Sequence, residues 1–216
     1  DMGYGDLGYT GSTQIKTPNL DKLANEGVIF PQAYVTASVC GPSRAGMLTG
    51  RYQQRFGFET NPRGGPHLRP EKIGLPDREL TLGNRMQQAG YHTAAIGKWH
   101  MGGAHDDPRP GFDHWISFRG QGNYLPPGPK YTLNVNGKRV KQKGYITDEL
   151  TDYAVEWLEE QKDDEKPFFL YLSHKAVHAN FTPAKRHEDR YKDADLSFLP
   201  RGKEISASKD APRWVR

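Results

Sequence analysis

The sequence predicts an α/β protein with a mostly parallel sheet flanked by helices, incomplete at both ends. Three observations lead there. Helical and extended patterns alternate along the chain, as they do where helices cover a sheet. The run Phe168-Phe169-Leu170-Tyr171-Leu172 is continuously apolar, the pattern of a strand buried on both faces. Between the periodic segments, 24 glycines and 16 prolines in 216 residues mark a loop-rich chain rather than a helical bundle. The chain opens in a loop sequence, Asp1-Met2-Gly3-Tyr4-Gly5-Asp6-Leu7-Gly8, and stops at Arg213-Trp214-Val215-Arg216 without a closing element, so a piece of a longer protein is expected.

The first helix starts at Thr17-Pro18, a cap followed by proline at the first helical position, with Leu20, Leu23 and Ala24 on one face and Gly27 as its stop. Val28 to Val35 reads as extended, and Pro31 assigns it to an edge or irregular strand. Residues 51–80 read as a long loop. Thr81 caps the next helix (Leu82, Met86, Ala89), closed by Gly90, and Tyr91 to Ile96 forms a short strand ending at Gly97. Residues 101–130 are again rich in Pro and Gly, and 131–143 suit a hairpin turning at Asn136-Gly137. After Thr147, Leu150, Tyr153, Ala154, Trp157 and Leu158 repeat at helical spacing until Lys166-Pro167 breaks the pattern before the apolar run. Beyond Tyr191 the tail is charged and irregular.

Thirty basic and 26 acidic residues leave a net charge of +4, which favours anionic ligands mildly. This is not the dense basic stripe of a nucleic-acid binder. No apolar run approaches the ~20 residues that span a bilayer. Neither nucleic acid nor membrane is an expected partner.

In an open α/β sheet, ligands bind beyond the carboxyl ends of the strands. Those positions carry Lys98-Trp99-His100 and His174-Lys175-Ala176-Val177-His178, and Asp1 joins them if a strand precedes it. Cys40 is the single cysteine, so it forms no internal disulfide. It opens Cys40-Gly41-Pro42-Ser43-Arg44-Ala45-Gly46-Met47-Leu48-Thr49-Gly50. Pro42 suits the first turn of a helix and Gly50 its end, which puts Cys40 at the helix mouth, where free backbone N–H groups favour an anion. A packed core cysteine has no use for Pro at plus two and Arg at plus four.

That run resembles the signature of the formylglycine-dependent sulfatases, in which Cys-x-Pro-x-Arg is read by a maturation enzyme that oxidises the cysteine. Three further segments resemble sulfatase landmarks in the family's order. These are the stretch opening at Asp1, the segment Gly97-Lys98-Trp99-His100-Met101-Gly102, and the segment Leu172 to His178. Together they cover roughly residues 1–180 and imply the N-terminal catalytic portion of an alkaline-phosphatase-like domain, with its C-terminal part and a further subdomain outside 1–216. The resemblance implies sulfuric ester hydrolysis by a gem-diol at residue 40, through a covalent sulfoenzyme. It implies calcium held by Asp1 and the modified Cys40, and a periplasmic or secreted location. It assigns Arg44 to the charged nucleophile, Lys98 to the sulfate oxygens, His100 to the base beside residue 40, and His178 to the acid for the departing alcohol. Fixed cations suit this chemistry because attack on sulfur loads charge onto the sulfate oxygens.

Other candidates read more simply. His67, His92, His105, His114, His174 and His187 are surface or structural histidines, and Lys175 is a solvated lysine unless it touches substrate. Asp6 is a turn residue, and Asp106-Asp107 a charged surface loop. Arg51 and Arg55 either bind substrate or complement a helix terminus, and Trp99 and Trp157 pack. The family's Asp-Asn calcium pair and a further lysine have no match before residue 216, so the isolated chain is expected to bind calcium poorly and not to turn over. The rival readings are a phosphodiester or phosphonate monoester hydrolase with the same signature, and a non-catalytic binder of acidic glycans.

Overall fold

A computed structural model describes residues 2–61, 74–102 and 105–195. The chain divides into two compact units, Asp1–Phe181 and Thr182–Arg216. In the second, the described residues include a short 3-10 turn, Lys185–His187.

The first unit is built on a sheet of β1 (His92–Gly97), β2 (His114–Ser117), β3 (Thr132–Val135), β4 (Lys138–Lys141) and β5 (Phe168–Ser173), in the order β4-β3-β2-β1-β5. β1 runs parallel to both β2 and β5, with Ala95 opposite Trp115 and Tyr171. β3 and β4 add an antiparallel hairpin, so the sheet is mixed, with its parallel part at the centre. The hairpin turns at Asn136 and Gly137, both left-handed at φ 49° and 85°, as the two-residue turn requires. β2 falls inside a stretch that the sequence assigns to loop. With four residues it is too short to show a period.

Helices α1 (Pro18–Glu26), α2 (Cys40–Thr49), α3 (Leu82–Gln88) and α4 (Ile146–Gln161) follow the expected positions. Alternation along β1 and β2 separates two cores. Ala94, Ile96 and Ile116 pack with Ile146, Leu150, Ala154 and Trp157 of α4. Ala95 and Trp115 pack with Ala45 and Leu48 of α2, together with Trp99, Met101 and Phe112. Leu150 is fully buried, and replacing it by alanine would cost about 2–5 kcal/mol. α3 is capped as expected, Thr81 Oγ1 accepting from the Asn84 N–H at 3.3 Å.

Several expectations are corrected. Thr17 does not cap α1; its hydroxyl accepts from the Gly8 N–H at 2.8 Å and donates to Asp21 at 3.0 Å. Residues 28–35 form no strand, and Val28, Phe30, Tyr34 and Val35 lie exposed, for Pro31 supplies no donor and no described strand pairs with them. β5 is not buried on both faces. It takes the sheet edge among the described strands, and Phe168 is 50% exposed.

Candidate active site

Cys40 is the first residue of α2, with Val39 as an extended N-cap and Gly50 closing the helix in a left-handed conformation. Val39 makes no side-chain cap. Asn61 fills that gap from the following loop, its Oδ1 accepting from the Gly41 N–H at 2.8 Å and lying 3.5 Å from Cys40 Sγ. Position 41 must be glycine for room: a Cβ there would lie 2.8 Å from Asn61 Oδ1 and 3.2 Å from the His100 carbonyl oxygen. The close approach brings His100 Nδ1 to 3.1 Å from Cys40 Sγ. His100 holds a left-handed φ of 55°, an uncommon state that costs of order 1 kcal/mol and aims its ring at the helix mouth.

Lys98 follows β1, and its backbone is fixed from two sides. Its N–H donates to the Ser173 carbonyl at 2.7 Å, and its carbonyl accepts from Arg44 Nη1 at 2.8 Å. Its side chain is buried, and Nζ donates to Gln121 Oε1 at 2.5 Å. Gln121 Nε2 in turn lies 3.9 Å from Cys40 Sγ. Gln121 therefore bridges the lysine to residue 40.

The electrostatics follow from this crowding of cations. Burial pulls Lys98 down to about 8, the charge of Cys40 opposing it and those of Arg44 and Lys175 adding to it. Burial, with the charges of Lys98, Arg44 and His178, pulls His100 down to about 4, so its imidazole is neutral near pH 7. Burial opposes the Cys40 thiolate, but Lys98 and hydrogen bonds with Gln121, Asn61 and the Gly41 backbone outweigh it and lower the thiol. The Ala179 carbonyl favours the His178 imidazolium, yet burial and the charges of Lys98 and Lys175 bring that group below its ordinary value.

The expected residues thus divide. Cys40, Lys98 and His100 meet through direct contacts and Gln121. His178 is half-buried beyond β5, within electrostatic reach of His100 and Lys98. Arg44 lies beside them: Nη1 donates to the Lys98 carbonyl, to Tyr171 Oη at 3.1 Å and to Ser173 Oγ. It ties α2 to the ends of β1 and β5, while the groups that favour the Cys40 thiolate are Lys98, Gln121, Asn61 and Gly41. Asp1 and His67 lie outside the described residues.

Lys175 is not solvated. It is 6% exposed, with Nζ 4.8 Å from the Tyr124 ring centroid. Asp106 is no surface residue either; it is fully buried and accepts two bonds from Arg139 at 2.6 Å, while Asp107 stays exposed. Asp6 accepts from the Gly3 N–H as a turn residue should, and Trp99 and Trp157 pack. Arg51 pairs with buried Glu79. His92 pairs with Asp164 at 3.0 Å, and His114 lies 6.2 Å from the Trp157 ring.

Sequence reasoning missed Asn61 and Gln121, both in segments read as loop. A signal existed for the second. Gly120 and Gly122, at φ 58° and 67°, bracket Gln121 just beyond β2, at the same rim as Lys98.

The family model for sulfatases matches residues 1–198. The chain belongs to the sulfatase family. This sulfatase chain is 39% identical over 180 residues to N-acetylglucosamine-6-O-sulfatase of Bacteroides thetaiotaomicron, covering 82% of the chain and 29% of that protein. It is 35% identical over 207 residues to N-acetylgalactosamine-6-sulfatase of Canis lupus familiaris, covering 83% and 38%. A solved structure of a protein in complex with its substrate D-glucosamine-2-N, 6-O-disulfate matches at a TM-score of 0.78 and 33% identity, over 96% of this chain and 40% of that one. The sulfatase chain thus spans well under half the length of these relatives. Sulfatases are generally formylglycine- and metal-dependent.

Among the described residues, no group of three or more His, Cys, Asp or Glu side chains is placed to hold a metal ion. They therefore supply no carboxylate cluster of the kind that calcium favours. Residue 40 suits formylglycine better. Its Sγ is surrounded by Asn61 Oδ1, His100 Nδ1 and Gln121 Nε2, partners that hydroxyl oxygens could use as well as a thiol.

Proposed function

We propose that the pocket around residue 40 hydrolyses sulfate esters of a sulfated glycan or a related small molecule. The observation that carries this reading is the meeting of Cys40, Lys98 and His100 at the mouth of α2, braced by Arg44. The named activities of the relatives, which act on 6-sulfated amino sugars, support the substrate class. Once the maturation enzyme has converted Cys40, the hydrated aldehyde supplies a hydroxyl nucleophile and a second hydroxyl for release of sulfate.

The chain's own residues do the rest. Lys98, oriented by Gln121, offers its ammonium to the sulfate oxygens as charge builds there. The positive end of the α2 dipole adds to that field. His100, neutral near pH 7 and 3.1 Å from the Sγ of residue 40, takes the proton from the hydroxyl there. His178 gives a proton to the departing alcohol oxygen. Calcium, if Asp1 and residues beyond this chain hold it, would polarise the ester. A periplasmic or secreted location belongs to the same reading; no helix among the described residues is long and apolar enough to cross a membrane.

The test is a comparison of rates on matched aryl sulfate and aryl phosphonate esters, using the full-length protein expressed with a maturation enzyme. Faster sulfate hydrolysis, lost in Cys40→Ala, is the expected result. Faster phosphonate hydrolysis would assign the pocket to the other ester class.

A further inference from the structure

We propose that Tyr124 and Lys175 form a clamp that positions His178 for proton delivery, making both of them positioning residues of the reaction. The proposal rests on the reading above, in which His178 is the acid. Tyr124 is 6% exposed, and its Oη donates to the His178 backbone carbonyl at 2.6 Å. The tyrosine is itself anchored. Its carbonyl accepts from the Ile146 N–H at 2.8 Å, at the first residue of α4, and its ring stacks on Tyr145 with centroids 5.8 Å apart. A rigid tyrosine on one loop therefore grips the main chain of another at the residue whose imidazole does the chemistry.

Lys175 grips the same turn from its other end. The His178 N–H donates to the Lys175 carbonyl at 3.0 Å, and Lys175 Nζ donates to the Ala179 carbonyl at 3.3 Å. The ammonium lies 4.8 Å from the Tyr124 ring centroid, a cation–π contact that joins the two halves of the clamp. Burying an ammonium is costly, and packing alone would be served by an apolar side chain. A charge in this position also bears on Lys98 and on His178, lowering both.

Geometry errors of ~1 Å at a catalytic group can cost 10²-fold in rate, so a clamp on the acid has consequences that bulk stability does not report. An acid matters most when the leaving group is basic. The experiment measures kcat/KM of the full-length, matured protein for a series of aryl sulfates from 4-nitrophenyl to phenyl sulfate. Tyr124→Phe keeps the ring under Lys175 and removes one oxygen; Lys175→Met keeps the stem and removes the charge. Each is expected to lose about ten-fold more on phenyl sulfate than on 4-nitrophenyl sulfate, in the manner of His178→Ala. Equal losses across the series in both variants, with His178→Ala still showing the steep dependence, would overturn the clamp alone. If His178→Ala itself shows no leaving-group dependence, the acid assignment is what fails, and the clamp falls with it.

Discussion

Arg44→Lys separates a tether from a point charge. The guanidinium Nη1 donates to the Lys98 carbonyl at 2.8 Å, to Tyr171 Oη at 3.1 Å and to Ser173 Oγ, joining α2 to the ends of two parallel strands. Lysine keeps the charge but not the planar fork. Nη1 has two hydrogens for these three acceptors, and an ammonium that keeps one bond leaves the other unmade. A hydrogen bond from a charged donor contributes about 1.5–3 kcal/mol, and the half-buried position argues for the low end, so the variant should lose ~1.5 kcal/mol. Urea unfolding of the full-length variant, read as a shift in midpoint at unchanged slope, measures this. Activity should fall as well, because the Lys98 backbone loses one of its two fixed contacts. A stability loss below ~0.5 kcal/mol together with retained activity would show that the positive charge alone suffices at this position, and the tether argument would be wrong.

The pH dependence of kcat/KM should differ between leaving groups. With 4-nitrophenyl sulfate, which needs little help from an acid, activity should rise as His100 deprotonates through about 4 and fall as Lys98 deprotonates at about 8. Conversion of Cys40 removes the charge that raises Lys98, which places that second limb at or below this value. With phenyl sulfate, His178 must be protonated, and its value lies below the ordinary 6.5, so the falling limb should move to lower pH. Coincident limbs for the two substrates, in profiles measured side by side, would count against His178 as the acid. Asp106→Asn should cost ~2 kcal/mol, less than the 3–5 of a fully buried pair because the Arg139 side chain is 34% exposed and can rehydrate. Calorimetry or urea unfolding reads that loss, with kcat/KM on 4-nitrophenyl sulfate expected within two-fold of the parent.

Periodic, local features were legible in the sequence. The spacing of Leu150, Ala154 and Trp157 specified α4, Asn136-Gly137 specified the hairpin, and the carboxyl-end rule for parallel strands put Lys98, His100 and His178 on one rim. Burial set by distant partners was not legible. Phe168 to Leu172 has the composition of a central strand, yet its exposure depends on which strands flank it. Lys175 reads as a solvated lysine until Tyr124, 51 positions earlier, is seen to cover it. The same holds for Asp106, whose partner Arg139 lies on the hairpin. Asn61 and Gln121 act through hydrogen bonds to atoms far away in sequence, and nothing in an Asn or Gln side chain announces such a partner. The contacts of Arg44 were not legible either, because residues 127 and 129 positions away supply two of its acceptors.

The most direct measurement correlates sulfate release with the state of residue 40. Batches of full-length protein made with graded amounts of the maturation enzyme would be scored by peptide mass, conversion lowering the Cys40 peptide by about 18 Da. Turnover proportional to the converted fraction, with a line through the origin, is the predicted result. Turnover that stays constant while the converted fraction changes would contradict a nucleophile at the mouth of α2.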